Sequence, residues 1–435
     1  MNEKPTAALR AYRILSTAAI PLVPLLLARR LKRGKEHHAR MTERRGIARI
    51  ERPKGALVWL HGASVGELAS VLPLIERIRS RGIGMLVTSG TVTSGGLAEQ
   101  RLPRGVIHQY VPVDTPRYVR RFLDHWQPDL ALFVESELWP NMIIETSLRG
   151  VPMILVNGRL SANSFRRWRQ YVPAALKNLL QRFDVCLAST PADAERLDEG
   201  GAARVVSTGN LKLDVPAPSA DPAKLAALSA AVTGRAVIAA ASTHAGEEAI
   251  VIEAHKRLRR NFPNLLTLIA PRHPDRGPGI ADIAAAAGLN ASLRSRGELP
   301  DAATDIYVAD TMGELGLIYR VAPIVFVGGS LVRHGGQNPI EAAKLGAAVL
   351  HGPNVWNFAD IYAALDQVGG ANLVADGDRL TAALAAWLGD PSAGARVANV
   401  ARTTVESLGG ALENTLQSLE PYLMQLQLRE RAFNA

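Results

Sequence analysis

At 435 residues the chain exceeds what one ordinary core accommodates, so two domains are expected. An apolar share of 47% excludes general disorder, and the single cysteine, Cys186, excludes an intrachain disulfide framework and a multi-cysteine metal site. A net charge of +10 points to an anionic partner, while 5% aromatics in an Ala-, Leu- and Val-rich background favours helices on buried parallel strands over a β-sandwich.

The first patterned segment, residues 14–28, is apolar except for Ser16 and Thr17 and contains Pro21 and Pro24. As a helix it reaches ~22 Å, short of the ~30 Å hydrocarbon core, and the prolines kink it. Arg29, Arg30, Lys32, Arg33, Lys35, Arg40, Arg44, Arg45, Arg49, Arg52 and Lys54 follow at once. An apolar stretch running into a basic cluster is a membrane-surface signature, and the charge beyond it is expected to keep the rest of the chain cytoplasmic. Anchoring by shallow insertion or a short span is therefore expected, ahead of a surface-packed helix or a cleaved signal peptide. Arg29 and Arg30 stand where a cleavage site needs small residues. Nucleic acid is not an expected partner, since the charge sits beside an apolar leader rather than among exposed aromatics.

From Ala56 onward short apolar runs alternate with amphipathic stretches. Strands are expected at 56–61, 83–88, 106–111, 129–134, 151–156 and 184–188, with helices such as 67–81, 114–125, 139–149 and 165–182 between them. Gly209-Asn210 and Pro216, Pro218 and Pro222 interrupt the rhythm over 207–235, a linker composition. The alternation resumes with strands near 236–240, 265–270, 305–309, 323–327 and 347–350, and helices at 246–260, 314–320, 338–345, 357–366 and 378–388. A last amphipathic helix over 412–431 is expected to kink or break at Pro421 and to dock on the body. The layout is two doubly wound α/β domains. It divides into a basic anchor segment (1–50), a first domain (51–212), a linker (213–235) and a second domain with the terminal helix (236–435). Ligands of such sheets bind beyond the carboxyl ends of the strands, so chemistry is expected in those loops and in the cleft between the domains.

Gly62-Ala63-Ser64-Val65-Gly66-Glu67 follows the first strand and opens a helix. Its glycines allow close backbone approach and its free amides favour anions. Glu67 either takes a proton from an acceptor hydroxyl or complements its helix dipole. Glu135-Ser136-Glu137 ends the fourth strand, where the carboxylates position groups around a sugar or cap the helix beginning near Trp139. Lys212, in Gly209-Asn210-Leu211-Lys212, offsets the charge of a departing phosphate or is merely solvated.

In the second half, Pro271-Arg272-His273-Pro274 puts a guanidinium where it can fork onto a phosphate or carboxylate. Met312-Gly313-Glu314 lies at a helix start able to read a nucleotide. Gly328-Gly329-Ser330 leads to His334-Gly335-Gly336-Gln337-Asn338-Pro339-Ile340-Glu341, a glycine-rich loop before a helix and the best phosphate and ribose candidate. Glu341, one helical turn after Asn338, is placed to accept from ribose hydroxyls, the alternative being a cap with tight turns. Asp376-Gly377-Asp378 reads as a turn and helix cap, and His61, His244, His273 and His334 lack ligand spacing, so no metal or cofactor is expected.

In this order the motifs resemble the 3-deoxy-D-manno-octulosonic acid (Kdo) transferase family. The likeness runs through the 62–67 loop, VESELWPN, VNGRLS (156–161), GNLKLD (209–214), PRHPDR (271–276), DTMGEL (310–315), VGGSLVRHGGQNPIEA (327–342) and Asn357-Phe358. The N-terminal leader is similar to that family's membrane anchor. The resemblance implies a GT-B fold of two Rossmann-like domains facing across a cleft. It implies inverting transfer of Kdo from CMP-Kdo to the lipid A precursor lipid IVA, at the cytoplasmic face of a bacterial inner membrane. Carried over position by position, it implies Glu67 as general base and Glu137 and Lys212 as supports of the transition state. Pro271, Arg272, Met312, Gly313, Glu314, Gly329, Ser330, Asn338 and Glu341 then form the CMP site. The chain departs from the family at Thr88-Ser89-Gly90-Thr91-Val92-Thr93, where a threonine-rich run is usual, and at Gln337, where relatives also carry histidine.

Overall fold

Every residue of Leu57–His61 is buried, as a strand covered by helices on both faces requires, and so is every residue of Leu130–Val134 and Leu265–Pro271. Runs of this kind organise the chain, of which the computed structural model describes residues 4–434, into two units. One combines the chain up to Val215 with the segment from Gly409 onward; the other is Pro216–Leu408.

The first unit contains β1 (Leu57–His61), β2 (Gly84–Ser89), β3 (Ile107–Tyr110), β4 (Leu130–Val134), β5 (Met153–Gly158), β6 (Val185–Ala188) and β7 (Val205–Ser207). They pair in parallel in the order β3-β2-β1-β4-β5-β6-β7, with Val58 opposite both Met85 and Leu130. The order reverses between β1 and β4, and a doubly wound sheet opens its ligand crevice at such a reversal. On one sheet face Trp59, Phe122, Trp126, Phe133 and Phe183 form the core; on the other, Val58, Leu60, Leu68 and Ile75 do.

The second unit contains β8 (Ala236–Thr243), β9 (Leu265–Pro271), β10 (Ala291–Leu293), β11 (Ile306–Val308), β12 (Ile324–Val327), β13 (Ala348–His351) and β14 (Ala371–Leu373). The parallel order is β10-β11-β9-β8-β12-β13-β14, reversing between β8 and β12. The expected alternation is present in both halves. Sequence pattern misses β7, β10 and β14, each a three-residue strand at a sheet edge, too short to show a period. The helix expected over 165–182 is two, Ala162–Tyr171 and Pro173–Leu180, because Pro173 starts a new helix.

Two expected domain boundaries differ. The stretch 213–235 is not linker throughout, since Asp221 caps a helix, Pro222–Ala231, of the second unit. The terminal helix, Ala411–Asn434, belongs with the first unit rather than the second. Leu416, Leu419, Leu423 and Leu426 join Leu68, Ile75 and Leu211 in its core, and Arg77–Glu413 (2.8 Å) and Arg81–Glu420 (2.7 Å) pair at the edge. That helix continues through Pro421, which lies on its exposed side.

The leader likewise forms two helices, Ala7–Ala18 and Val23–Lys32, joined by a tight 3-10 turn, Ile20–Leu22. Pro21 and Pro24 stand at the starts of the latter two pieces, where a missing amide costs least. The pair bends by 45°, and among the described residues no single helix is long and apolar enough to cross a membrane. One side of the leader packs on the first unit: Val23 and Leu27 bury against Tyr118, and the Tyr12 hydroxyl donates to Asp114 at 3.0 Å. The other side leaves Ile14, Leu15, Leu22, Leu25 and Leu26 between 51% and 72% exposed.

Candidate active-site loops

Beyond β1 the chain turns into the helix Val65–Arg79, with Ser64 as its cap. The Ser64 hydroxyl accepts the Glu67 N–H at 3.3 Å and donates to Glu67 Oε1 at 2.8 Å, while Oε2 accepts the Ala63 N–H at 2.7 Å. The helix-capping role read from the sequence is therefore real. The carboxylate is nonetheless unlike a surface cap. Burial raises its pKa, the Ser64 hydrogen bond opposes this, and the charges of Glu137 and Glu135 push it further up. A carboxylate so raised is a stronger base than an ordinary one.

β4 ends at Val134, and Glu135 turns with φ 58°, left-handed backbone that non-glycine residues rarely adopt. Its carboxylate lies 2.6 Å from Lys212 Nζ. At the end of neighbouring β5, buried Asn157 also turns left-handed, φ 52°, and its side-chain carbonyl accepts the Leu211 N–H at 3.0 Å. Asn210 accepts the Lys212 N–H at 3.0 Å. Two adjacent strands thus end in turns costing about 1–3 kcal/mol each, and together they fix the segment that delivers Lys212.

Glu137 approaches His61 Nε2 at 3.6 Å and accepts from the Trp139 indole. Burial alone would raise Glu137, but His61 and Trp139 outweigh it and hold the carboxyl below its usual range. Thr88 orients the imidazole, its hydroxyl 2.9 Å from His61 Nδ1. The fold therefore brings Glu67, Glu137 and Lys212 together at the β1/β4 reversal with Glu135, the other carboxylate of that motif, and adds His61 and Asn157. His61, at the end of an apolar strand, gave no signal of this role in the sequence.

In the second unit, Glu247 organises the loops at the β8/β12 reversal. This fully buried carboxylate accepts four backbone amides: His244 at 2.9 Å, Gly329 at 2.7 Å, and Ser330 and Leu331 at 3.0 Å. Gly328 is required there, because a Cβ would meet the Ser242 carbonyl at 2.7 Å. The Gly329 and Ser330 amides, expected to face a phosphate, are thus engaged inside the protein, and the Ser330 hydroxyl donates to the Val327 carbonyl at 2.6 Å. These two residues shape the loop rather than offer donors.

Pro271 is buried at the end of β9, and exposed Arg272 is pinned by its N–H to the Thr243 carbonyl at 3.0 Å. Asn338 caps the following turn by accepting the Ile340 N–H at 3.0 Å and donates to Glu341 at 3.3 Å. Burial raises the Glu341 pKa, with Asn338 and the Arg272 charge opposing. Arg272, Asn338 and Glu341 are therefore neighbours. Met312 is 71% exposed and Gly313 turns with φ 79°. Glu314, however, is taken up by Arg294, Lys224 (2.8 Å) and Thr311, and the Arg294 hydrogen bond leads the causes that hold it down to about 2. That turn offers a ligand its backbone.

Histidines scattered in sequence also meet here. The His244 ring lies 3.7 Å from that of His334 and 6.1 Å from that of His273. Burial first, then His334, His273 and Arg272, push His244 down to about 4. Among the described residues no group of three His, Cys, Asp or Glu side chains is arranged to hold a metal ion. Asp376 caps the helix Gly377–Gly389, as read, and buried Cys186 is pushed up to about 12 by its apolar surroundings.

Two doubly wound parallel units, each with loops at its strand-order reversal, are an architecture shared with GT-B glycosyltransferases. A solved glycosyltransferase from Rickettsia africae shares the fold, with TM-score 0.57 over 86% of this chain and 99% of that one, at 11% identity. In sequence, the 3-deoxy-D-manno-octulosonic acid transferase of Bordetella pertussis is 37% identical over 95% of this chain and 99% of its own. That of Haemophilus influenzae is 33% identical over 93% and 96%. The family profile described as 3-deoxy-D-manno-octulosonic-acid transferase (kdotransferase) matches residues 39–215. The chain belongs to the 3-deoxy-D-manno-octulosonic acid transferase family and is a glycosyltransferase.

Proposed function

We propose that this enzyme transfers Kdo from CMP-Kdo to lipid IVA in lipopolysaccharide biosynthesis, by a single inverting displacement with Glu67 as general base. The observation that carries this reading is Glu67 itself: a half-buried carboxylate at the β1/β4 reversal whose pKa is raised by burial and by two neighbouring carboxylates. Each of its oxygens accepts one hydrogen bond and keeps a lone pair for an acceptor hydroxyl.

In the reaction, Glu67 removes the hydroxyl proton as that oxygen bonds to the anomeric carbon of Kdo. The bond from that carbon to the CMP phosphate oxygen breaks through an oxocarbenium-like state, and CMP leaves with the electron pair. Lys212, held by Glu135, and Glu137, kept ionised beside His61, steady the separating charges. CMP is held by Pro271 and Arg272, by the backbone of Met312 and Gly313, and by Asn338 and Glu341, with Glu314 buttressing its turn. The acceptor is an amphiphile, and the exposed apolar side of the basic leader supports association with the cytoplasmic face of a bacterial inner membrane.

One assay tests the reading. Purified enzyme with CMP-Kdo and a tetraacylated lipid A precursor yields a product heavier by one or more Kdo residues, and CMP inhibits where UDP does not. Inhibition by UDP alone, with no product from CMP-Kdo, would overturn the donor and favour a UDP-sugar enzyme of the same fold.

A further inference from the structure

The helix Pro116–Trp126 buries Tyr118, Val119, Phe122, Leu123 and Trp126. Its other face carries Arg117, Arg120, Arg121 and Asp124, at the spacing that lines residues up along one side. The leader helix Ala7–Ala18 lies against it, and the two flank an open surface cavity of about 870 Å³ lined by Arg13, Arg117, Arg120 and Arg121, with Ile14 and Ala18 from the leader.

This cavity is built rather than incidental. Buried Glu145 holds two of its guanidiniums, Arg13 at 2.6 Å and Arg120 at 3.0 Å, and takes Arg149 at 3.2 Å from outside the cavity. Burial would raise the Glu145 pKa, but the Arg120 and Arg13 hydrogen bonds hold it below the ordinary carboxylate range. Asp124, the acidic lining residue, is paired with Arg149 at 2.6 Å. Arg121 donates to the Arg45 carbonyl at 3.3 Å, and among the described residues neither it nor Arg117 joins an ion pair. The same leader helix exposes Ile14 and Leu15 at 69% each, and the next segment exposes Leu22, Leu25 and Leu26.

We infer that this cavity binds the phosphate of an anionic phospholipid headgroup. Guanidiniums fork onto its oxygens while Ile14 and the exposed leucines meet the acyl region. Charge on one helix beside apolar surface on the leader matches a ligand with a phosphate at one end and hydrocarbon at the other. A free phosphate would use only the first. The inference rests on the membrane-surface reading above and adds to it a discrete headgroup site apart from the basic segment that follows the leader.

Vesicle flotation of the full chain tests it, with phosphatidylcholine vesicles compared with vesicles that also contain phosphatidylglycerol. Wild type floats with both and prefers the anionic ones. Arg117→Gln with Arg121→Gln lowers that preference on the order of tenfold and leaves binding to phosphatidylcholine unchanged. The double variant also keeps transferase activity in detergent, showing that it is folded. Arg117→Lys with Arg121→Lys keeps most of the preference. Equal binding of wild type to both vesicles overturns the headgroup site and leaves the membrane reading intact, whereas binding to neither overturns both. An undiminished preference in the glutamine variant, or full displacement by inorganic phosphate, also overturns the headgroup site.

Discussion

Glu67 serves two demands that mutation separates. Glu67→Gln keeps an oxygen for the Ala63 amide or the Ser64 hydroxyl, so folding is expected to change by no more than about 1 kcal/mol. Transfer falls by ~10²–10⁴-fold, the usual worth of a general base. Turnover, thermal unfolding and CMP titration measured together check this, and near-normal turnover would falsify the base. The sign of the pH effect follows from the raised pKa: the base works only when ionised. The acid limb of kcat/KM therefore falls at a pH above the ordinary carboxylate value of 4.5. Glu67, Glu137 and Lys212 were legible because contiguous motifs carry them. Glu135 was read only as one of two carboxylates in its motif and His61 only for its lack of ligand spacing, because their pairings with Lys212 and Glu137 join residues distant in the chain.

Among elements, the β8/β12 loops depend on Glu247 most. Glu247→Ala leaves four amides without their acceptor, and an unsatisfied buried group costs about 1–3 kcal/mol. A loss of at least about 3 kcal/mol in urea unfolding is expected, with weakened CMP binding, and Glu247→Gln is expected to recover part of both. A fully stable alanine variant with wild-type CMP affinity would remove Glu247 from this role. Central strands such as β1, β4 and β9 were legible because burial on both faces writes an unbroken apolar run. Edge strands β7, β10 and β14 were not, since pairing on one side needs only three residues and leaves no pattern.

Three predictions concern the molecule as a whole. Replacing Leu22, Leu25 and Leu26 by glutamine is expected to lower membrane binding with little effect on thermal unfolding, because these side chains are exposed. Deleting the leader is expected to destabilise the first unit as well, since Tyr12, Arg13, Val23 and Leu27 pack or pair against it. A deletion with unchanged unfolding would show that packing to be idle. Acid stability follows from buried imidazoles. Burial first, then Arg40, pushes His108 down to about 3; burial first, then the Arg259 and Arg235 charges, pushes His255 down to about 4 against Asp305. Both lie below the ordinary 6.5, so the unfolded chain takes up these protons first. Their contribution is complete above pH 6.5 and is lost as pH falls toward about 4 and below. Replacing His255 by glutamine should flatten the pH dependence of unfolding between those values, whatever it does to absolute stability. An unaltered slope would count against a neutral buried His255.

By itself the amino-acid sequence determined what local period and contiguous motif can encode: two doubly wound halves, the carboxyl-end loops of their strands, and the likeness to Kdo transferases. Tertiary structure alone decided that the terminal helix returns to the first unit, that Glu247 takes the Gly329 and Ser330 amides, and that Arg13 shares a cavity with Arg117. The reason is that a parallel sheet must connect neighbouring strands by long crossovers. Residues far apart along the chain therefore become partners through strand order, and strand order leaves no trace in a short window of sequence.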